Sequence, residues 1–146
     1  MKKAFSQELH DQNDTPAREK VKISFSEIWG LTLVDNPDKY GPDLVAYRGS
    51  VFEGFVEIEV KHNWLGNRFP FSTVHFPKRK ERIFGEGPMI FVVMNKHMTH
   101  FIWFKLDSLK SARVITKRTR LTDFQEGFLE IPVSEGIKVT CSDYAS

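Results

Sequence analysis

Between Val56 and Lys61 apolar and charged residues alternate without a break: Val56, Ile58 and Val60 against Glu57, Glu59 and Lys61. Successive side chains of a strand point to opposite faces. The stretch therefore reads as a strand with one face packed into apolar surroundings. The other face carries two carboxylates and an ammonium. Such a face does not make a core. It makes either a metal site with a lysine beside it or, more plainly, the wet face of an edge strand.

The chain has 146 residues, 40% of them hydrophobic and 13% aromatic. That is enough for one soluble globular domain with a real core. The longest apolar run, Met89 to Met94, is too short to cross a bilayer, so no membrane role is expected. Lys2 and Lys3 are followed by no hydrophobic region, so the first residues do not read as a secretory signal. A single cysteine, Cys141, leaves no intrachain disulfide framework and suits a reducing cytosol.

The net charge of +2 conceals zoning. Between residues 61 and 82, Lys61, Arg68, Lys78, Arg79, Lys80 and Arg82 face Glu81 alone. Between 105 and 120, Lys105, Lys110, Arg113, Lys117, Arg118 and Arg120 face Asp107 alone. Two basic blocks in a nearly neutral chain suggest the footprint of a polyanion, or else a solvated surface.

Residues 1–14 read as a polar, loosely held arm and 15–146 as a single domain. Asp14-Thr15-Pro16 predicts a helix start, and Ala17, Val21, Phe25 and Ile28 recur at helical spacing until Gly30. Leu31 to Val34 predicts a short strand, and residues 36–42 a turn-rich loop. Leu44 to Arg48 and Phe52 to His62 predict a hairpin around Gly49-Ser50, which brings Asp43 toward Glu59 and Lys61. Residues 63–75 read as loop, and Pro77 opens a short basic helix to about Phe84. Met89 to Met94 predicts a strand buried on both faces, His100 to Leu106 its neighbour, and three short strands near 112–116, 127–132 and 137–141 follow. The order implies an α/β fold, a mixed sheet flanked by helices.

Hydrolysis of a phosphodiester is limited by charge. Mg²⁺ polarises phosphate oxygens and lowers the pKa of a bound water. It takes oxygen ligands, usually one or two carboxylates with water and phosphate. Asp43 and Glu59 on adjacent strands supply two carboxylates, and the Val60 carbonyl a third oxygen. Lys61 follows on the same face about 6.5–7 Å along the strand. There an ammonium orients the attacking water or steadies developing charge.

At these residues the chain resembles the PD-(D/E)XK nuclease superfamily. Pro42-Asp43 stands for the first motif and Glu59-Val60-Lys61 for the second. The likeness is greatest to archaeal Holliday-junction resolvases and small phage-type nucleases, which carry a glutamate early in a preceding helix. It covers residues 15–62. The resemblance implies a restriction-endonuclease-like fold and a metal-dependent endodeoxyribonuclease leaving a 5′-phosphate and a 3′-hydroxyl. Its catalytic residues would be Asp43, Glu59, Lys61 and Glu19. Its metal, Mg²⁺ with Mn²⁺ able to substitute, would be held by Asp43, Glu59, the Val60 carbonyl and Glu19. It further implies branched or junction DNA as the substrate, a homodimer, and a place in the cytoplasm of a bacterial, archaeal or phage-infected cell, with the nucleoid.

Other residues carry competing readings. Glu27 rivals Glu19 as the helical carboxylate. Glu57 shares the charged face and is an outer ligand, or else a supporting or surface carboxylate. Asn63 lies on that face too, whereas His62 points the other way. Trp64 belongs to the core or meets a base. His97 and His100 alone have metal-ligand spacing, in an apparent turn. Lys78, Arg79, Lys80 and Arg82 are expected phosphate contacts, with Lys117, Arg118 and Arg120 as a second group. Three alternatives remain: a DNA-binding protein of this fold that does not cut, a restriction-type or RNA-directed nuclease, and an interaction domain without hydrolysis.

Overall fold

The computed structural model describes residues 7–118 and 125–141. Helix α1 spans Gln7–Trp29 and runs through Pro16 rather than starting at it. A proline inside a helix forfeits one backbone hydrogen bond. The residues that anchor this helix, Ala17, Val21 and Phe25, all follow it and are buried. Ile28 does not join them; it is half exposed, and Trp29 turns inward instead, its ring 4.7 Å from that of Phe25. Gly30, at φ +66°, stops the helix in the left-handed conformation, its N–H donating to the Ser26 carbonyl.

Strands β1 (Thr32–Asp35), β2 (Leu44–Arg48) and β3 (Val51–Lys61) form an antiparallel meander, with Gly49-Ser50 as the predicted two-residue turn. A parallel partner cannot be reached by a tight turn. The chain therefore crosses one face of the sheet through β4 (Thr73–Pro77) and a 3₁₀ turn, Lys78–Ile83. It then enters β5 (Met89–Asn95), parallel to β3. Gly54 fits here because a Cβ would stand 2.7 Å from the Pro88 carbonyl oxygen. Strand β6 (His100–Lys105), helix α2 (Leu106–Lys110), β7 (Arg113–Arg118), β8 (Gln125–Pro132) and β9 (Ile137–Thr140) complete the order.

The central sheet runs β1-β2-β3-β5-β6-β9 and is mixed, as expected. A second, antiparallel sheet of order β4-β8-β7 was not expected. Thr73–Pro77 reads locally as loop because its partner, β8, lies more than fifty residues on. Alternation along β3 sorts the packing. Val56, Ile58 and Val60 join α1, Leu33, Leu44, Val92 and Phe101 on one face. On the other, Phe91, Val93, Ile102 and Phe104 pack against Val74, Phe76, Leu129 and Ile131 of the second sheet. That second face is the one to which Glu57, Glu59 and Lys61 project.

Candidate metal centre and basic cleft

The centre is built where β2 stops and β3 continues. Leu44 is the first β2 residue in register with β3, opposite Val56. Before it, the chain turns away through a loop that Asn36 organises. The Asn36 N–H donates to the Asp43 carbonyl at 3.0 Å, and its side-chain amide donates to the Pro42 carbonyl at 2.9 Å. This holds Asp43 beside the uncovered edge of β3. Its Oδ2 accepts the Ile58 N–H at 2.8 Å, and its own N–H donates to Glu57 Oε1 at 3.1 Å.

Backbone parity adds a third oxygen. The N–H and C=O of one strand residue point to the same side, and those of successive residues to opposite sides. The Phe55 N–H donates to the Pro88 carbonyl, toward β5, whereas the Ile58 N–H points to Asp43. Val60 shares the parity of Ile58, so its carbonyl faces the Asp43 side.

The three acidic groups differ in what they hold. Glu57, only 6% exposed, is fully engaged: its Oε2 accepts Lys80 Nζ at 2.6 Å. Glu59 accepts Lys61 Nζ on Oε1 at 3.2 Å, while its Oε2 is buried with no hydrogen-bond partner. A buried carboxylate oxygen without a donor is costly unless a cation completes it. Lys61 also donates to the His75 carbonyl of β4 at 2.6 Å. Lys80 is drawn into the cluster. Burial alone would lower the pKa of its ammonium, but the charge and hydrogen bond of Glu57, with the charges of Glu59 and Asp43, outweigh burial and raise it above the usual lysine value.

The structure thus brings together Asp43, Glu57, Glu59, Lys61 and Lys80. Glu19 stands elsewhere, on exposed α1, paired with Lys22 at 3.1 Å, which also reaches Asp35. Glu27 is likewise exposed on α1. Among the described residues, no three His, Cys, Asp or Glu side chains form a group able to hold a metal. Asp43, Glu59 and the Val60 carbonyl could offer two carboxylates and a carbonyl, a set of the kind that suits Mg²⁺, an ion that keeps several waters. The orphaned Glu59 oxygen is the local sign that a cation fits.

Beside Lys61 opens a cleft of about 220 Å³ lined by Lys61, Asn63, Phe71, Thr73, His75 and Lys117. Lys117 donates to His75 Nδ1 at 2.8 Å and lies 4.5 Å from the Phe128 ring centre. With Nδ1 as acceptor, Nε2 carries the proton and faces Glu130 at 3.0 Å. No sequence signal links Lys117, His75 and Glu130, since they come from the three different strands of the second sheet. Of the other expected phosphate contacts, Lys78 pairs with Glu81, Arg79 with Glu126, and Arg82 donates to the Tyr40 carbonyl. Arg118 ends β7, and Arg120 lies outside the described residues. Trp64 is 1% exposed and packs on Phe69, so it cannot meet a base. His100 opens β6 and bonds Thr99 rather than sharing a ligand set with His97.

No protein-family model matches the chain, and no curated protein matches it. Among solved structures, a similar chain is the Holliday junction resolvase Hjc of Archaeoglobus fulgidus, an archaeal hyperthermophile. The two share 13% identity and a TM-score of 0.44 over 86% of this chain and 93% of that one. At that level the chemistry must be argued from this chain's own residues.

Proposed function

We propose that the chain is a Mg²⁺-dependent DNA endonuclease, selective for branched DNA such as four-way junctions and acting as a homodimer. The buried, unpartnered Oε2 of Glu59 beside Asp43 carries this reading. Asp43, Glu59 and the Val60 carbonyl would hold the ion, and Glu19, paired with Lys22 on α1, is proposed as a further acidic group. When bound, the ion supplies a polarised phosphate and a more acidic water.

The chain's own groups do the rest. Lys61 has three N–H donors and commits two, to Glu59 and to the His75 carbonyl. The third is available to the attacking water or to a phosphate oxygen. Its fixed position means that little reorganisation is needed as charge develops. Lys117, which lines the neighbouring cleft, would meet the next phosphate, with Lys78, Arg79 and Arg82 as further phosphate contacts. Contacts of this kind confer affinity without sequence preference, and so favour selection by DNA shape.

The test is a substrate panel with Mg²⁺ or Mn²⁺: four-way junction, flap, linear duplex, single-stranded DNA and RNA. The junction or flap should be cut, and Asp43→Asn should bind it without cutting. Equal cutting of every DNA form would reject shape selectivity. Hydrolysis of none of them, with either metal, would reject the nuclease.

A further inference from the structure

We propose that Lys80 is a built-in cation that makes this a one-metal centre: its ammonium occupies the Glu57 side of the carboxylate cluster and withholds Glu57 from a second divalent ion. The inference rests on the metal-site reading above.

Three observations carry it. First, Glu57 and Glu59 lie on one face of one strand, two residues apart, yet only Glu59 keeps an oxygen without a partner. Both Glu57 oxygens are engaged, Oε1 by the Asp43 N–H and Oε2 by Lys80. Second, Lys80 is unlike its neighbours in the basic run. Lys78, Arg79 and Arg82 are exposed, whereas the Lys80 side chain is 18% exposed against an 8% exposed Glu57. Third, the connection that brings Lys80 here is forced by topology. The β3-to-β5 crossover must pass over the face bearing these carboxylates, and its 3₁₀ turn lands on Glu57.

Charge balance points the same way. Among these five side chains, Asp43, Glu57 and Glu59 against Lys61 and Lys80 leave one net negative charge. One divalent ion and one phosphodiester bring the whole to neutrality. A second divalent ion would leave it doubly positive and would have to approach the ammonium already on Glu57, in a poorly solvated site where like charges repel strongly. Two-metal centres hold their ions about 3.5–4 Å apart; with both Glu57 oxygens engaged, Asp43 and Glu59 would have to serve both ions. Lys80 is a positioning residue in this scheme, acting through Glu57.

The experiment is a titration of the full chain with Mn²⁺ alone, without nucleic acid, reading bound ions per chain by calorimetry and by the paramagnetic resonance of free Mn²⁺. Wild type should bind one ion, Asp43→Asn none, Lys80→Met two, and the Glu57→Gln/Lys80→Met double variant one again. Two ions in wild type, or one ion in a folded Lys80→Met, overturns the inference and leaves the metal reading standing. No ion in wild type removes the metal reading itself. Should Lys80→Met fail to fold, Lys80→Gln carries the same comparison, and the wild-type count alone still decides against the inference if it is two.

Discussion

The two faces of the central sheet share its strands but not the side chains those strands project. Toward α1, Val56, Ile58 and Val60 join an apolar cluster, and the cleft on that side, about 370 Å³, is lined by Phe25, Trp29, Leu33 and Trp103, with Arg48 and Glu53 at its polar part. Toward the crossover, apolar packing is interrupted by Asp43, Glu57, Glu59, Lys61 and Lys80. The first face is held by non-directional burial, which tolerates repacking. The second has an apolar core of its own against the second sheet and adds short, directed contacts between charges, each of which is costly to break alone. Apolar burial therefore supports both faces, and the proposed chemistry is confined to one.

The sharpest way to break this division is Asp43→Asn. Cleavage of a junction with Mg²⁺ should fall by about a thousandfold, roughly 4 kcal/mol in the barrier. Thermal unfolding should move little, since asparagine can still accept the Ile58 N–H. Lys61→Ala should fall similarly in the same cleavage assay.

On the opposite face, Phe25→Ala should cost about 3–5 kcal/mol in urea unfolding, with Mn²⁺ binding per folded molecule unchanged. A loss of metal binding in the folded variant would show that the two faces are not separable.

Lys80→Met tests the boundary between them. Leaving Glu57 charged and unpaired should cost about 3 kcal/mol, and adding Glu57→Gln should recover most of it. The pH dependence follows from the raised Lys80 pKa. A folded-state pKa above the unfolded one means that the native chain binds the proton more tightly. The contribution is fully present below the unfolded value of 10.5 and is lost as pH rises through the higher folded value. Wild type should therefore lose stability above pH 10.5 by more than Lys80→Met does in parallel denaturation curves.

The smallest effects belong to the basic surface. Neutralising Arg79, Arg82 or Lys117 singly should weaken DNA binding severalfold. Each should lower the salt slope of log K by about one, measured by fluorescence anisotropy across salt concentrations. His75→Gln, which offers Lys117 a different acceptor, should have a smaller effect than Lys117→Ala.

Much of this was legible in the chain. The alternation over Val56–Lys61 predicts both the strand and its two faces, and Gly49-Ser50 predicts the hairpin that carries Asp43 to Ile58. Trp64 was ambiguous because a loop tryptophan can serve core or ligand, and only packing against Phe69 decides. The sequence groups Lys80 with Lys78, Arg79 and Arg82 as an expected phosphate contact, since nothing in a run of basic residues says which one turns inward. The strand Thr73–Pro77 was missed for a related reason: strand propensity is weak when the hydrogen-bonding partner is remote.

The sequence by itself determined the period-two pattern of β3, the acidic pair at Asp43 and Glu59 with Lys61 following, and the apolar stripe on α1, because these depend on backbone geometry a few residues long. Tertiary structure decided which carboxylate is satisfied and which is left with an open oxygen. It did so because a parallel strand pair requires a long crossover, and the path of that crossover places Lys80 on Glu57 and the His75 carbonyl on Lys61.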